Sequence, residues 1–143
     1  MNEKTGTRTY EWSNPIEIPG AARTKSGFDF LTEILDGKIP RPPIMDTLEI
    51  FPISIEKGKV SMGFLPQEYH YNPIGSVHGG VISTVLDSVM GCTVHSALPE
   101  GIAYTSLELK INSTPKHSNH GEFCTEEHRS YSPKPSEVMP VHW

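Results

Sequence analysis

Apolar residues recur at helical spacing in two stretches of the chain. In residues 26–36 (SGFDFLTEILD), Phe28, Leu31 and Leu35, together with Phe30 and Ile34, fall at i, i+3/i+4 spacing and predict a helix. Ser26 stands at the N-cap position, and Gly37 followed by Pro40, Pro42 and Pro43 stops the pattern. Residues 78–96 carry the stronger stripe, with Ile82, Val85, Leu86, Val89 and Met90 on one face. A second stripe on this helix, Gly80, Ser83, Asp87 and Gly91, is small and polar with one acid in its middle.

Between the helices the period changes. Residues 47–55 (TLEIFPISI) are rich in β-branched and apolar residues, Lys57-Gly58 is a turn signal, and residues 59–65 read as the returning strand. Pro52 places the first strand at an edge or marks a bulge. Residues 98–101 (LPEG) end the long helix, and residues 102–112 alternate well enough to predict a further strand. Residues 1–25 are polar and irregular. The order helix, strand, strand, long helix, strand predicts an α+β domain with an incomplete sheet.

Composition narrows the class. The chain has 143 residues, 36% hydrophobic and 20% charged, with a formal net charge of −5. An acidic balance argues against a nucleic-acid binder. No apolar run is long enough for a membrane helix, and no secretory signal is visible, so a cytoplasmic setting is expected. Cys92 and Cys124 make neither a disulfide framework nor a zinc site. His117 and His120 lack the further ligands that a metal site needs.

The chemistry gathers around the start of the long helix. Asn72-Pro-Ile-Gly-Ser-Val-His78-Gly79-Gly80 precedes Asp87 in the helix. Two glycines at a helix start let a ligand approach backbone N–H groups that have no intrahelical partner. Such groups hold an oxyanion or polarise a carbonyl. Asp87 lies two turns inside an apolar helix, where it cannot cap. It either faces a cleft and activates water, or is a solvent-facing acid on the exposed side. Taken singly, Asn72 before Pro73 reads as an Asx-turn, His78 as a helix-start residue, and Thr105 as an ordinary strand residue.

As a set these residues resemble a family. N-P-x-G-x-x-H-G-G, Asp87, and then L-P-x-G-x-x-Y-T-x-L-E-L-K-x-N resemble the PaaI-like branch of the hotdog-fold acyl-CoA thioesterases, over about residues 26–112. The resemblance implies a long central helix wrapped by an antiparallel sheet, in a homodimer or homotetramer with active sites between protomers. It implies that the Gly79 N–H polarises a thioester carbonyl and that Asp87 of the opposite subunit is the base or nucleophile. Asn72 and His78 would shape the site, Thr105 would place the water or the acid, and Gly80 and Ser83 would line the substrate. The substrate would be an acyl- or aroyl-CoA, with no metal or cofactor required. A non-catalytic hotdog remnant, which binds acyl groups or pairs with an intact protomer, is the alternative.

Residues 113–143 do not continue the pattern. They contain no Leu, Ile or Ala, but four of the thirteen prolines and four of the seven histidines. The expectation is a disordered tail without strands, arising from a truncation or a shift of reading frame. Removing the last strands leaves a helix face and a sheet edge uncovered, so the chain is expected to be unstable, to aggregate or to lack activity. A soluble product with a cooperative thermal transition and measurable acyl-CoA hydrolysis would refute this. The nucleotide sequence beyond codon 112 tests the frame: a second frame without strand-like segments and Gly-rich turns excludes the shift.

Overall fold

A computed structural model of the chain describes residues 6–111 and the backbone of residues 139–142. The helix expected at residues 26–36 forms as Gly27–Leu35, here α2 because a shorter helix precedes it. Ser26 caps it, its Oγ accepting from Asp29 N–H at 3.2 Å, which satisfies one orphan donor of the first turn. The stripe Phe30, Leu31 and Ile34 is buried. Gly37 follows at φ +73°, a left-handed position open to glycine without a Cβ penalty.

The N-terminal segment corrects the expectation of an irregular stretch. Pro15–Glu17 forms a 3₁₀ turn, capped by Asn14, and Ile18–Arg23 forms α1. Proline is tolerated here because first-turn N–H groups have no intrahelical acceptor in any case. The same rule explains α3 (Pro43–Leu48), which takes residues 47 and 48 away from the expected strand. Glu49 at φ 56° then turns the chain into β1 (Ile50–Glu56).

β1 pairs antiparallel with β2 (Lys59–Phe64) through the Lys57-Gly58 turn. The register shifts between Pro52 and Ser54, and β1 lies at the sheet edge. Proline removes a ladder donor, so both features fall where one is affordable. The long helix forms over Gly79–Ser96 and is α4. Ile82, Val85 and Val89 turn inward, packing with Ile50, Val60 and Phe64, each 0% exposed. The fold is thus α+β, with a long helix following two strands and packed on an antiparallel sheet. That agrees with the expected hotdog arrangement with a shortened sheet.

Two expectations fail together. Residues 102–111 form no strand, and Leu107 is 95% exposed. Met139–His142, in the expected strandless tail, forms β3 and pairs antiparallel with β2 in the order β1-β2-β3. A strand needs a ladder partner. β1 lies on one side of β2 and β3 on the other, and residues 102–111 pair with neither β2 nor the outer strands, so their alternation is not expressed as a strand. Pro140 is accommodated because β3 is itself an edge strand. Cys124, His117, His120 and Asn112 lie outside the described residues. No helix among the described residues is long and apolar enough to cross a membrane.

One glycine locks α2 onto the end of α4. Gly27 N–H donates to Leu98 O at 3.0 Å, and a Cβ on Gly27 would stand 1.7 Å from His95 O. Helix propensity alone favours alanine over glycine by about 0.5–1 kcal/mol. Overpacking against fixed backbone costs about 1–3 kcal/mol. Gly27→Ala is therefore expected to destabilise, by about 1–2 kcal/mol net, in chemical denaturation; a rise in stability would contradict this packing.

Candidate active site at the start of the long helix

The loop before α4 is built from its own hydrogen bonds. Asn72 Oδ1 accepts from Ile74 N–H at 3.1 Å and Ser76 N–H at 3.3 Å. Asn72 Nδ2 donates to Ser76 Oγ at 3.0 Å, and its backbone N–H donates to Ser76 O at 2.8 Å. The Asn72 amide is thus engaged within the loop, as an Asx-turn requires. An isolated bridge between Tyr71 and Val77 closes the loop.

His70 anchors this loop from below. It ends a 3₁₀ turn (Glu68–His70) and is only 3% exposed. Its Nδ1 accepts from Gln67 N–H at 3.0 Å, and its carbonyl accepts from His78 N–H at 2.8 Å. Its Nε2 is buried with no partner among the described residues. Burial holds its pKa below the usual 6.5, with Arg8 acting the same way and Glu49 opposing.

His78 is the N-cap of α4. Its Nδ1 accepts from Gly80 N–H at 2.9 Å, and its carbonyl accepts from Val81 N–H at 2.9 Å and Ile82 N–H at 3.3 Å. Four N–H groups open a helix without intrahelical partners. Ile82 N–H makes the first ordinary intrahelical bond. Of the four orphans, which belong to residues 78–81, His78 N–H is met by His70 O, and His78 itself takes those of Gly80 and Val81. The fourth belongs to Gly79, an exposed residue where a Cβ would meet nothing within 4 Å and whose N–H has no hydrogen-bond partner among the described residues. At Gly80 a Cβ would approach His78 Nδ1 to 3.0 Å, so glycine there admits the capping ring.

The remaining hydroxyls of the first turns bond backward. Ser83 Oγ donates to Gly79 O at 2.8 Å, and Thr84 Oγ1 donates to Gly80 O at 3.0 Å. Asp87 follows two turns further along and is half-buried. Its Oδ1 accepts from Ser106 Oγ at 2.9 Å. Thr105 is exposed beside Ser106. Ser106 was not legible from sequence, because this pairing depends on how the chain returns past α4 after Gly101 at φ +78°.

Tyr104 lies across Gly91, which follows Asp87 by one turn of α4. A Cβ on Gly91 would stand 2.2 Å from its Oη. The Tyr104 hydroxyl is pushed up to about 12, by burial first and then by the nearby Cys92 and Asp87.

The structure therefore brings Asn72, His78, Gly79, Gly80 and Ser83 to one end of α4, with Asp87 apart from them. Eight residues at 1.5 Å rise place Asp87 about 12 Å from Gly79 along the helix axis. One group polarised at Gly79 N–H cannot touch Asp87 of the same chain. Among the described residues, no cluster of three or more His, Cys, Asp or Glu side chains could hold a metal ion.

No protein-family model matches the chain, and no curated protein matches it. A solved structure that resembles it is a phenylacetic acid degradation-related protein from Ralstonia eutropha JMP134, whose description as a thioesterase is provisional. The identity is 26% and the TM-score 0.47, over 50% of this chain. The match spans 56% of that protein's length, so this chain covers only about half of it.

The anchor at His70 carries a pH dependence. Its folded pKa lies below the unfolded value, so the unfolded state binds the proton more readily. Its contribution to stability is fully present above pH 6.5 and is lost as pH falls from there toward the folded pKa. His95, also lowered by burial, acts with the same sign. His70→Asn, which keeps an acceptor near the Nδ1 position, should remove about half of the stability slope just below pH 6.5. An unchanged slope in urea titrations across that range would contradict this assignment.

Proposed function

We infer that this chain is the protomer of an acyl-CoA thioester hydrolase that works as a homodimer or larger homo-oligomer. The observation that carries the reading is the one orphan N–H at the start of α4 without a partner among the described residues. His78 takes those of Gly80 and Val81, His70 O takes that of His78, and the N–H of exposed Gly79 is left. A thioester carbonyl oxygen placed there would be polarised by the N–H and by the positive end of the helix dipole.

Asp87 supplies the complementary function. Since its own Gly79 is about 12 Å away along the axis, Asp87 of a second copy is the one that serves each carbonyl. Ser106 donates to Oδ1 and so orients the carboxylate with Oδ2 free. Oδ2 takes a proton from water as the water oxygen attacks the carbonyl carbon. The tetrahedral oxyanion forms at the Gly79 N–H. As it collapses, the C–S bond breaks and the proton held by Asp87 passes to the departing CoA sulfur. The products are the free acid and CoA, and no cofactor enters. Asn72 and His78 hold the loop and helix start in place, Gly80 admits the His78 cap, and Ser83 and Thr105 border the acyl-CoA.

The alternative, a non-catalytic remnant that binds acyl groups or pairs with an intact protomer, is favoured by one observation. Residues 102–110, which include the Asp87 partner Ser106, are exposed and belong to no sheet. In that case Asp87 would hold Ser106 without reacting.

Gly79→Pro separates the two readings. Proline is well tolerated at the first helical residue, and His78 already has φ −64° and ψ 133°, which suit a residue before proline. The variant removes one N–H and little else. Its expected effect is a fall in kcat of about 10²–10³-fold with the helix content retained. Asp87→Ala should lower hydrolysis by about 10²–10⁴-fold. Thiol release from acyl-CoA substrates measures both. Equal rates in wild type and Asp87→Ala would remove the catalytic role, and absent wild-type hydrolysis in a folded protein would favour the remnant.

A further inference from the structure

A cavity of about 230 Å³ lies between the three short helices, the hairpin and the C-terminal half of α4. Phe30, Ile34, Met45 and Met62 are among its apolar walls, and no lysine, arginine, aspartate or glutamate among the described residues lines it. Of the described residues, Cys92, His95 and Tyr104 bring polar side-chain atoms to it. Burial pushes the Cys92 thiol up to about 11, so it stays protonated and behaves as a small apolar group. The Tyr104 hydroxyl end lies against Gly91.

His95 differs from the other two. Both its ring nitrogens are buried, and neither has a hydrogen-bond partner among the described residues. Its ring meets Phe30 edge-on, with centroids 5.5 Å apart, and lies 5.8 Å from Tyr104. A Cβ on Gly27 would stand 3.3 Å from its Cδ2, so α2 closes over the ring. Buried and neutral, the imidazole offers one donor and one acceptor into an otherwise apolar space. Buried polar atoms are nearly always paired in folded proteins. Two on one ring that lines a cavity therefore point to a missing partner.

Size and chemistry define that partner. A cavity of 230 Å³ is smaller than the roughly 300–1,000 Å³ of drug-sized pockets and larger than the roughly 150 Å³ that accepts benzene. One ring, or a chain of similar bulk, fits. A hydrocarbon would fill the space and leave His95 unmet. A carboxylate would lose its water with no cation to meet it.

We propose that this cavity is a binding site for a small apolar molecule or group bearing one hydroxyl, which hydrogen-bonds to His95. A hydroxyl donates and accepts, so it satisfies either nitrogen in either tautomer. The site stands apart from the thioester reading, since neither Gly79 nor Asp87 lines it.

Toluene and benzyl alcohol test this, because they share a ring and differ by a hydroxyl. Each is titrated into the full chain by calorimetry, and the His95 ring resonances are followed by NMR. Benzyl alcohol is expected to bind at least as tightly as toluene and to shift the His95 signals. His95→Phe should weaken benzyl alcohol about tenfold relative to toluene. Ile55→Phe, which narrows the cavity, should weaken both. The proposal is overturned if neither probe binds, or if benzyl alcohol leaves the wild-type His95 signals unmoved. A toluene-to-benzyl-alcohol ratio unaffected by His95→Phe also overturns it, as does binding that ignores Ile55→Phe. The His95 signals decide the matter in wild type even if a variant does not fold.

Discussion

The burial of one face of α4 against β2 is the contact on which the rest of the protein depends. Val85 and Val89 have almost no exposure, and neither do Val60 and Phe64 in the same core. Fully burying side chains of this size gains about 1.5–3 kcal/mol each. The exposed pair Lys59–Glu56 is worth at most about 1 kcal/mol by comparison. Once α4 lies on the sheet, its N-terminus and its polar stripe have fixed positions, and the other elements are arranged around its two ends.

At the C-terminal end, α2 approaches closely because Gly27 has no side chain, and Ser96 Oγ accepts from Gly58 N–H of the hairpin turn at 2.8 Å. Helix, hairpin and second helix are tied together there by backbone groups and the Ser96 hydroxyl. At the N-terminal end, His70 and His78 do the equivalent work with imidazole nitrogens. Each accepts a backbone N–H through Nδ1, which fixes its tautomer while it is neutral. The helix start is therefore a consequence of a loop whose donors and acceptors are nearly all used internally. That saturation is what makes the remaining N–H of Gly79 chemically distinct.

The two ends also differ in character. The N-terminal end of α4 is exposed, polar and rich in backbone groups, as carbonyl polarisation requires. The C-terminal end borders an apolar cavity where, among the described residues, the unmet buried polar atoms belong to His95. Asp87 lies between them, tied to Ser106, with Tyr104 across Gly91 on the cavity side. Small residues on the stripe Gly80, Ser83 and Gly91 serve local fits within the chain, to His78, to Gly79 O and to Tyr104.

Local chemistry carried much of this from the sequence alone. Periodicity located α2 and α4, Ser26 its cap, Lys57-Gly58 the hairpin turn, and Pro52 the edge strand with its irregular register. Each is decided within a few residues by side-chain spacing or backbone freedom. Asn72, His78 and Gly79 were legible as a helix-start cluster for the same reason, although which N–H groups His78 would take was not. Tertiary structure decided the rest. Alternation in residues 102–111 described a strand, but a strand exists only once it is paired, and β2 takes Met139–His142 as its second neighbour instead. The pairing of Ser106 with Asp87, the lock at Gly27 and the cavity around His95 join residues far apart in the chain, and no local pattern encodes distances of that kind.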